Sequence, residues 1–332
     1  MQNNIPIFLA SNDMYAPFIA TTIASVCYNT KSFCEFYVLD SGISNLNKKR
    51  IGLLKEKFNN FSIEYIKVDF DKFKNFNING YFSLDVYSRF LIPFLKSNID
   101  KAIYSDVDVS FVGDVAELYN ENLDDKAVGA CQEIYVTEKI EELKIDLGLT
   151  KNHKYFYAGM LLIDCKKWRE NNTIDELFKI EKKYRSKLKF FDQDILNIYF
   201  NDNNYKKLSI KYCLTNKEIE FKDKLDAKHR EEVEEAIKNP VIRHFESSNK
   251  PWLTNKNIYG TNIKDFNVFW FFAKMTSFYD NLLLNYQNNR DNFNKKCVRL
   301  FNLFTLLSVK KENNYLVYKL FDFIPILKVI KK

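Results

Sequence analysis

Short apolar runs alternate with longer amphipathic segments at the start of this chain. Residues 5–10, 35–40 and 61–68 have the length and apolar character of buried strands. Helical patterns separate them at 15–28 and, after a Ser that suits a helix N-cap, at 44–60. Regular strand–helix alternation is typical of a largely parallel sheet with helices on both faces. We therefore predict an α/β fold.

The alternation continues less regularly along the rest of the chain. Further strands are predicted at 101–106, 127–131, 157–164 and 241–245, and further helices at 83–95, 137–147, 192–200, 222–238 and 265–286. Only 8 Gly and 6 Pro in 332 residues argue against an all-β protein with many tight turns. We place a domain boundary near residue 260, between an α/β body and a helical C-terminal region.

The usual catalytic and nucleotide-binding signatures are absent. The sequence contains no GxGxxG, no GxxxxGK[ST], no GxSxG and no HExxH, which argues against Rossmann dehydrogenases, P-loop NTPases, α/β-hydrolases and zincins. The six Cys form no CxxC pair, the N-terminus shows no signal-peptide pattern and no apolar run reaches the length of a membrane span. We expect a protein of the reducing cytoplasm.

The positive charge is concentrated at the C-terminus. Residues 290–332 hold ten Lys or Arg and three Asp or Glu, which leaves forty of each in residues 1–289. A neutral body argues against nucleic-acid binding. Basic residues flanking the apolar stretches 300–309 and 315–330 suit the surface of an anionic membrane leaflet. The alternative is that these apolar residues pack on the body.

Two carboxylates follow the predicted strand 101–106. Asp106 and Asp108 are spaced i, i+2, so in an extended chain both side chains project to the same side. Hard oxygen donors suit Mg²⁺ or Mn²⁺, and ligands bind at the carboxyl ends of strands in open α/β sheets. The segment is therefore a candidate metal site, with a solvated acidic turn as the alternative.

His244 and Lys250 are candidates for the same site. His244 ends the predicted strand 241–245 and would make an ordinary third metal ligand beside two carboxylates. Lys250, six residues later, could meet a diphosphate as a point charge. The alternative for a lone His is a satisfied core or surface residue.

A third polar group opens the predicted helix 192–200. Asp192, Gln193 and Asp194 precede an apolar helix face. Carboxylates at a helix N-terminus are stabilised by the helix dipole, and at least one of these is expected to have that structural role. The functional alternative is a set of acceptors and donors for sugar hydroxyls.

Seven segments, taken together, resemble glycosyltransferase family 8, a retaining family that includes bacterial lipopolysaccharide α-galactosyl- and glucosyltransferases and glycogenin. They occur in the family's order and are FLASNDMYA (8–16), YVLDSGIS (37–44), VYSRFLIP (86–93), IYSDVDVSFVGDVAELY (103–119), YFYAGMLLIDCKKWRE (155–170), FFDQDILN (190–197) and HFESSNKPW (244–252).

Independently of the family, the charge and apolar pattern of the C-terminus predicts a helical, basic, membrane-associating region over residues 261–332. The resemblance implies a GT-A fold, a mixed and mostly parallel sheet flanked by helices, over residues 1–260. It implies a UDP-sugar donor and a Mn²⁺ ion, with Mg²⁺ as the alternative, held by Asp106, Asp108 and His244. Asp192 would hold sugar hydroxyls and Gln193 would lie near the anomeric carbon, so these two are the catalytic candidates. The donor-binding set implied is Ala10, Ser11, Asn12, Tyr15, Arg89, Asp106, Val107, Asp108, Tyr157, Ala158, Gly159, Asp192, Gln193, His244, Ser247 and Lys250.

Several positions depart from the family pattern. Tyr157 replaces an Asn that normally touches the sugar, and Glu133 stands where an Asp is common. Asn12 and Met14 replace a polar pair near the nucleotide, and Ser247 replaces a Gly. No metal ligand is lost, so we expect an active enzyme whose donor preference is shifted.

The function predicted is transfer of a hexose, with retention, from UDP-galactose or UDP-glucose to a glycan. The expected acceptor is lipid-linked, such as a lipopolysaccharide, and the protein would lie on the inner face of the cytoplasmic membrane. The alternative is a non-catalytic nucleotide-sugar-binding or membrane-scaffold protein.

Overall fold

A computed structural model describes the backbone of residues 4–78, 84–134, 141–246, 250–253, 263–294, 298–300, 304–312, 315–320 and 324–330. Side chains are described to residue 288, apart from 254–266 and the other gaps. Among the described residues, no helix combines the length and the apolar character needed to cross a bilayer.

The body is built on a seven-stranded mixed sheet with the order β3-β2-β1-β4-β7-β6-β8. Its strands are β1 (Ile5–Ser11), β2 (Cys34–Asp40), β3 (Phe61–Lys67), β4 (Lys101–Ser105), β6 (Val128–Gln132), β7 (Phe156–Asp164) and β8 (Lys206–Leu208). Strands β3, β2, β1 and β4 run parallel, whereas β7 is antiparallel to both β4 and β6. The predicted α/β class is confirmed.

A second, three-stranded sheet lies beyond the carboxyl end of β4. It consists of β5 (Val109–Phe111), β9 (Leu214–Thr215) and β10 (Ile242–His244), in the order β5-β10-β9. Strand β10 pairs antiparallel with β5, and His244 is the register partner of Val109. This pairing brings the end of β10 beside the segment that follows β4.

Helices cover the main sheet on both faces, and two large apolar clusters form the core. The helices of the body are α1 (Ala16–Asn29), α2 (Asn45–Gly52), α3 (Ile92–Leu95), α4 (Val115–Tyr119), α5 (Glu141–Asp146), α6 (Cys165–Glu170), α7 (Thr173–Tyr184), α8 (Asp192–Tyr199), α9 (Asn216–Phe221) and α10 (Ala227–Lys238). The predicted helix 83–95 is instead a 3₁₀ helix, Leu84–Leu91, followed by the short α3. Three strands and four helices were not predicted from the sequence: β5, β8, β9, α4, α6, α7 and α9.

The C-terminal region is only partly helical, so the prediction of a helical tail is wrong beyond residue 294. Helices α11 (Ile263–Ala273) and α12 (Tyr279–Asn294) replace the single predicted helix 265–286. Strands β11 (Val298–Leu300), β12 (Phe304–Glu312), β13 (Tyr315–Leu320) and β14 (Ile324–Ile330) then form an antiparallel sheet. Their β-branched and aromatic residues favour strands, and a Pro within β14 disfavours a helix interior.

Candidate active site

Two carboxylates and one imidazole meet where the main sheet adjoins the three-stranded sheet. Asp106 directly follows β4, Asp108 precedes β5, and His244 ends β10. One ligand atom from each of the three lies within 4.8 Å of the other two, and the described residues contain no other such group. The backbone N–H of Phe245 donates to the carbonyl of Asp108 at 2.9 Å, which fixes this approach.

The three side chains have the chemistry of a divalent-metal site. Two carboxylates and an imidazole suit Mn²⁺, and two hard oxygens also accept Mg²⁺. His244 Nε2 lies 3.3 Å from Asp108 Oδ1, and its Nδ1 lies 3.5 Å from the thiol of Cys213. A partner on the second ring nitrogen orients a metal-binding imidazole, so the residues fit a bound cation.

Charges around Asp108 keep it ionised. Burial alone would raise the pKa of Asp108, but the charges of Lys250 and His244 lower it below its ordinary value. Burial would likewise lower the pKa of His244, but Asp108 raises it above its ordinary value. Lys250 forms an ion pair with Asp108 and so lies beside the metal-ligand candidates. Carboxylate, imidazole and ammonium therefore form one charge-coupled group.

Arg89 links Asp106, a candidate metal ligand, to Asp192, a candidate catalytic residue. Its Nη2 lies 3.1 Å from Asp106 Oδ1 and its Nε lies 3.1 Å from Asp192 Oδ2. A third donor, Nη1, binds the carbonyl of Ala158. Burial raises the pKa of Asp192 to about 7, although the charge of Arg89 opposes this. A fully engaged guanidinium thus holds two carboxylates on one side of the site.

Gln193 and Asp194 have different surroundings. The amide oxygen of Gln193 accepts a hydrogen bond from the backbone N–H of Ala158 at 3.0 Å, which fixes the side chain against β7. Asp194 is fully buried and accepts from the hydroxyl of Tyr155 and from the backbone N–H groups of Lys189 and Phe190. Asp194 therefore has a structural role in the first turn of α8, where it binds the backbone before the helix and does not act as an N-cap.

Tyr157 is directed at a group of buried acids. Its hydroxyl donates to Glu133 Oε1 at 2.9 Å, and its ring centroid lies 6.4 Å from that of His244. Burial, followed by the charges of Glu246 and Glu218, raises the pKa of Glu133 well above its ordinary value. Two of the five positions that depart from the family pattern are therefore hydrogen-bonded to each other.

The predicted nucleotide-binding residues lie at the carboxyl end of β1. Ala10 and Ser11 end the strand, and Asn12 caps the following turn by accepting from the backbone N–H of Met14 at 3.0 Å. The side chain of Asn12 also donates to Asp85 at 3.3 Å, while Tyr15 is exposed. These residues therefore share the sheet edge that carries the metal-ligand candidates.

The remaining predicted residues divide between the floor of the site and a segment outside the structure. Val107 lies between the two carboxylates, and its carbonyl accepts from the hydroxyl of Thr22 at 3.1 Å. Ala158 and Gly159 lie on β7, and the carbonyl of Gly159 accepts from the backbone N–H of Asp106 at 2.7 Å. Ser247 lies outside the described residues.

Tyr104 and Cys213 hold metal-ligand candidates and were not predicted from the sequence; Cys213 lies beside His244. The hydroxyl of Tyr104 donates to Asp106 Oδ1 at 2.7 Å, and the guanidinium of Arg89 lies 4.3 Å from the centre of the Tyr104 ring. Tyr104 precedes Asp106 by two residues, and i, i+2 residues of a strand face the same side. The spacing that pointed to the two carboxylates could therefore have identified this tyrosine.

The family model of glycosyl transferase family 8 matches residues 6–256, which contain the whole of this site. The chain belongs to glycosyl transferase family 8. It is 35% identical over 192 residues to a putative glycosyltransferase of Haemophilus influenzae, an alignment that covers 58% of each chain. Over 250 residues it is 28% identical to glycosyltransferase GlyF of Streptococcus pneumoniae, covering 75% of this chain and 57% of GlyF. The chain thus spans under two thirds of the length of these relatives.

More distant similarity extends to a named lipopolysaccharide enzyme and to a solved structure. The lipopolysaccharide 1,2-glucosyltransferase of Escherichia coli K12 is 22% identical over 244 residues, covering 72% of this chain and 70% of that protein. The galactosyltransferase LgtC, solved with donor and acceptor sugar analogues, superimposes with a TM-score of 0.71 at 23% identity. That alignment covers 82% of this chain and 96% of LgtC and shows a shared fold. The predicted GT-A fold is confirmed.

Proposed function

We propose that this protein transfers a hexose from a UDP-sugar to a glycan acceptor, with retention of the anomeric configuration and with a divalent cation. The observation that carries the proposal is the convergence of Asp106, Asp108 and His244 at the ligand-binding edge of a family 8 chain. Arg89 forms an ion pair with Asp106. Gln193 is hydrogen-bonded to Ala158 of β7 beside the same site.

The metal ligands and their neighbours would bind the donor diphosphate. Asp106, Asp108 and His244 would hold Mn²⁺, which when bound would supply Lewis-acid chemistry at the leaving nucleotide. Lys250 is paired with Asp108, so its ammonium is close enough to the metal ligands to meet a phosphate oxygen. Cationic groups held at this edge would stabilise the negative charge that develops on the leaving UDP.

Membership of family 8 supports retention, and the surroundings of the nearby carboxylates bear on how retention is achieved. Asp192 is ion-paired with Arg89 and Asp194 is bound by three donors, so neither is presented as a free nucleophile. Gln193 carries an amide, which is a poor nucleophile. We therefore favour attack by the acceptor hydroxyl on the face from which UDP leaves, through an oxocarbenium-like transition state. The hydroxyl proton would pass to a phosphate oxygen of the donor.

A lipid-linked glycan is the proposed acceptor. The similarity to a lipopolysaccharide glucosyltransferase supports a surface glycan, with UDP-galactose or UDP-glucose as donor. The ten basic residues of 290–332 would dock the protein on anionic lipid at the inner face of the cytoplasmic membrane. Each such residue near the surface contributes on the order of 1 kcal/mol, so the tail has ample charge for reversible binding.

The test is a screen of the purified protein against a panel of nucleotide sugars, with UDP release measured in Mn²⁺ and in EDTA. We expect release from a UDP-hexose that depends on the metal and increases when a galactose- or glucose-ended acceptor is added. Binding of a UDP-sugar without release under any condition would support a non-catalytic binding protein and contradict the proposal.

A further inference from the structure

We propose that Gly159 is a positioning residue of the metal site, because only the absence of a side chain there lets Asp106 and His244 close on one cation. The proposal rests on the function proposed above. Gly159 lies within β7, on the strand segment that also fixes Gln193 and Arg89 through the backbone of Ala158.

The space that a side chain would need at Gly159 is already filled by two metal-ligand candidates. A Cβ atom built there would lie 2.7 Å from Asp106 Oδ2 and 2.9 Å from His244 Cε1. Real Cβ atoms essentially never approach other heavy atoms below 3.0 Å. An alanine would therefore push the carboxylate and the imidazole simultaneously.

Backbone strain does not explain this glycine. Among the described glycines, a positive φ occurs only at Gly42 and Gly148. Gly159 lies within β7, and the next residue, Met160, is the register partner of Ser105 of β4. The backbone conformation at position 159 is therefore one that an alanine can adopt. The requirement for glycine is the clearance of the two side chains.

Neither neighbour can move away without losing its partners. Asp106 Oδ1 is bound by the hydroxyl of Tyr104 at 2.7 Å and by Arg89 at 3.1 Å, and its backbone N–H donates to the carbonyl of Gly159 at 2.7 Å. Both the side chain and the backbone of Asp106 are thus held in place.

The imidazole is held as firmly. His244 is buried and lies on the central strand of the three-stranded sheet, where Val109 and Thr215 are its register partners. Its ring contacts Cys213 and Asp108. A methyl group at position 159 must therefore displace the ligands that form the metal site.

The experiment compares the full-length wild-type protein with Gly159→Ala. Mn²⁺ binding is measured by EPR of the free ion with UDP present, and folding by circular dichroism and thermal unfolding. Loss of a residue that orients metal ligands typically weakens metal affinity about 10–100-fold, and we expect a decrease of that size. The Mn²⁺ concentration for half-maximal UDP release should rise, and saturating Mn²⁺ should restore most of the turnover.

Gly129→Ala is the matched control. Gly129 lies on β6 of the same sheet, and a Cβ there would lie 2.8 Å from Leu123 Cδ2, among leucine side chains rather than metal ligands. This variant should lower the thermal midpoint and leave Mn²⁺ affinity unchanged. Equal Mn²⁺ affinity in Gly159→Ala and the wild type would overturn the inference.

Two further outcomes are decisive. If the wild type itself binds no Mn²⁺ in the presence of UDP, the proposed function fails and the inference fails with it. If Gly159→Ala is too unstable for the binding assay, the decrease in thermal midpoint that Gly159→Ala causes is measured in the wild type and in a His244→Ala background. In that background one of the two close contacts is absent. A smaller loss there supports the inference, and an equal loss overturns it.

Discussion

Replacing Asp192 by Asn should change how the stability of the protein depends on pH. Burial raises the pKa of Asp192 to about 7 from an ordinary value of 3.8, with Arg89 opposing the shift. Between these values the folded protein keeps a proton that the unfolded chain has lost. The free energy of unfolding therefore falls as pH rises through this window, and an asparagine cannot contribute to that fall.

The magnitude follows from the size of the shift. At about 1.4 kcal/mol per pKa unit, a shift from 3.8 to about 7 corresponds to about 4 kcal/mol in total. About 3 kcal/mol of this falls between pH 5 and pH 8, where the unfolded carboxylate is already ionised. The side chain of Asp192 is 8% exposed, so solvent screens little of the effect.

Urea unfolding at pH 5 and pH 8, for the wild type and Asp192→Asn, measures this contribution. Burial also raises the pKa of Glu218 to about 7, but this group is present in both proteins and cancels in the comparison. Relative to the wild type, Asp192→Asn should gain up to about 3 kcal/mol of stability on going from pH 5 to pH 8. Parallel pH dependence in the two proteins would refute the raised pKa of Asp192.

Three other predictions concern the product, the membrane and the donor. The product linkage should be α when the donor is α, and an NMR coupling constant typical of a β-linked product would contradict same-face attack. Truncation before Arg290 should preserve UDP-sugar hydrolysis but abolish co-sedimentation with anionic vesicles, and high salt should weaken vesicle binding of the full chain. Failure of the full chain to co-sediment at low salt would show that the tail is a packing element. Because Tyr157 is hydrogen-bonded to Glu133, Tyr157→Phe should change the preference among UDP-hexoses in a competition assay, and an unchanged preference would remove Tyr157 from the specificity determinants.

Much of the metal site was predictable because its chemistry is local in the sequence. Asp106 and Asp108 follow a buried strand, and both the i, i+2 spacing and the position at a sheet edge are visible without a structure. His244 could be proposed as a third ligand from its residue type. Its approach to Asp108 depends on the antiparallel pairing of β10 with β5, two strands of three residues each, which no local pattern reveals.

The contacts that tune the site depend on distant parts of the chain and were not predictable. The bond between Tyr157 and Glu133 requires the antiparallel pairing of β6 and β7, whose register shifts between Ala130 and Gln132. The role of Gly159 depends on two side chains that are 53 and 85 residues away from it in the chain. By contrast, the capping box of Thr215 and Glu218 has the readable spacing T-x-x-E and was overlooked.

The C-terminal region shows where composition is a poor guide. Basic and apolar residues in 298–330 suit a membrane surface in either secondary structure, so they do not distinguish a helix from a strand. The β-branched residues and the Pro of β14 are the features that indicate a strand, and the helical prediction did not take them into account. Prediction was sound for long elements such as β1, β2 and α1, and it missed strands of two or three residues such as β5 and β9, which are too short to show a period.

The central claim is that Asp106 and Asp108 hold the cation on which glycosyl transfer depends. UDP release from the preferred UDP-hexose, measured over a range of Mn²⁺ concentrations, tests it most directly in Asp106→Asn, Asp108→Asn and the control Asp125→Asn, whose side chain is 81% exposed. We expect both site variants to fold, by circular dichroism, and to lose turnover by at least about 100-fold, while the control keeps it. Near wild-type turnover in either site variant would contradict the metal site and the mechanism built on it.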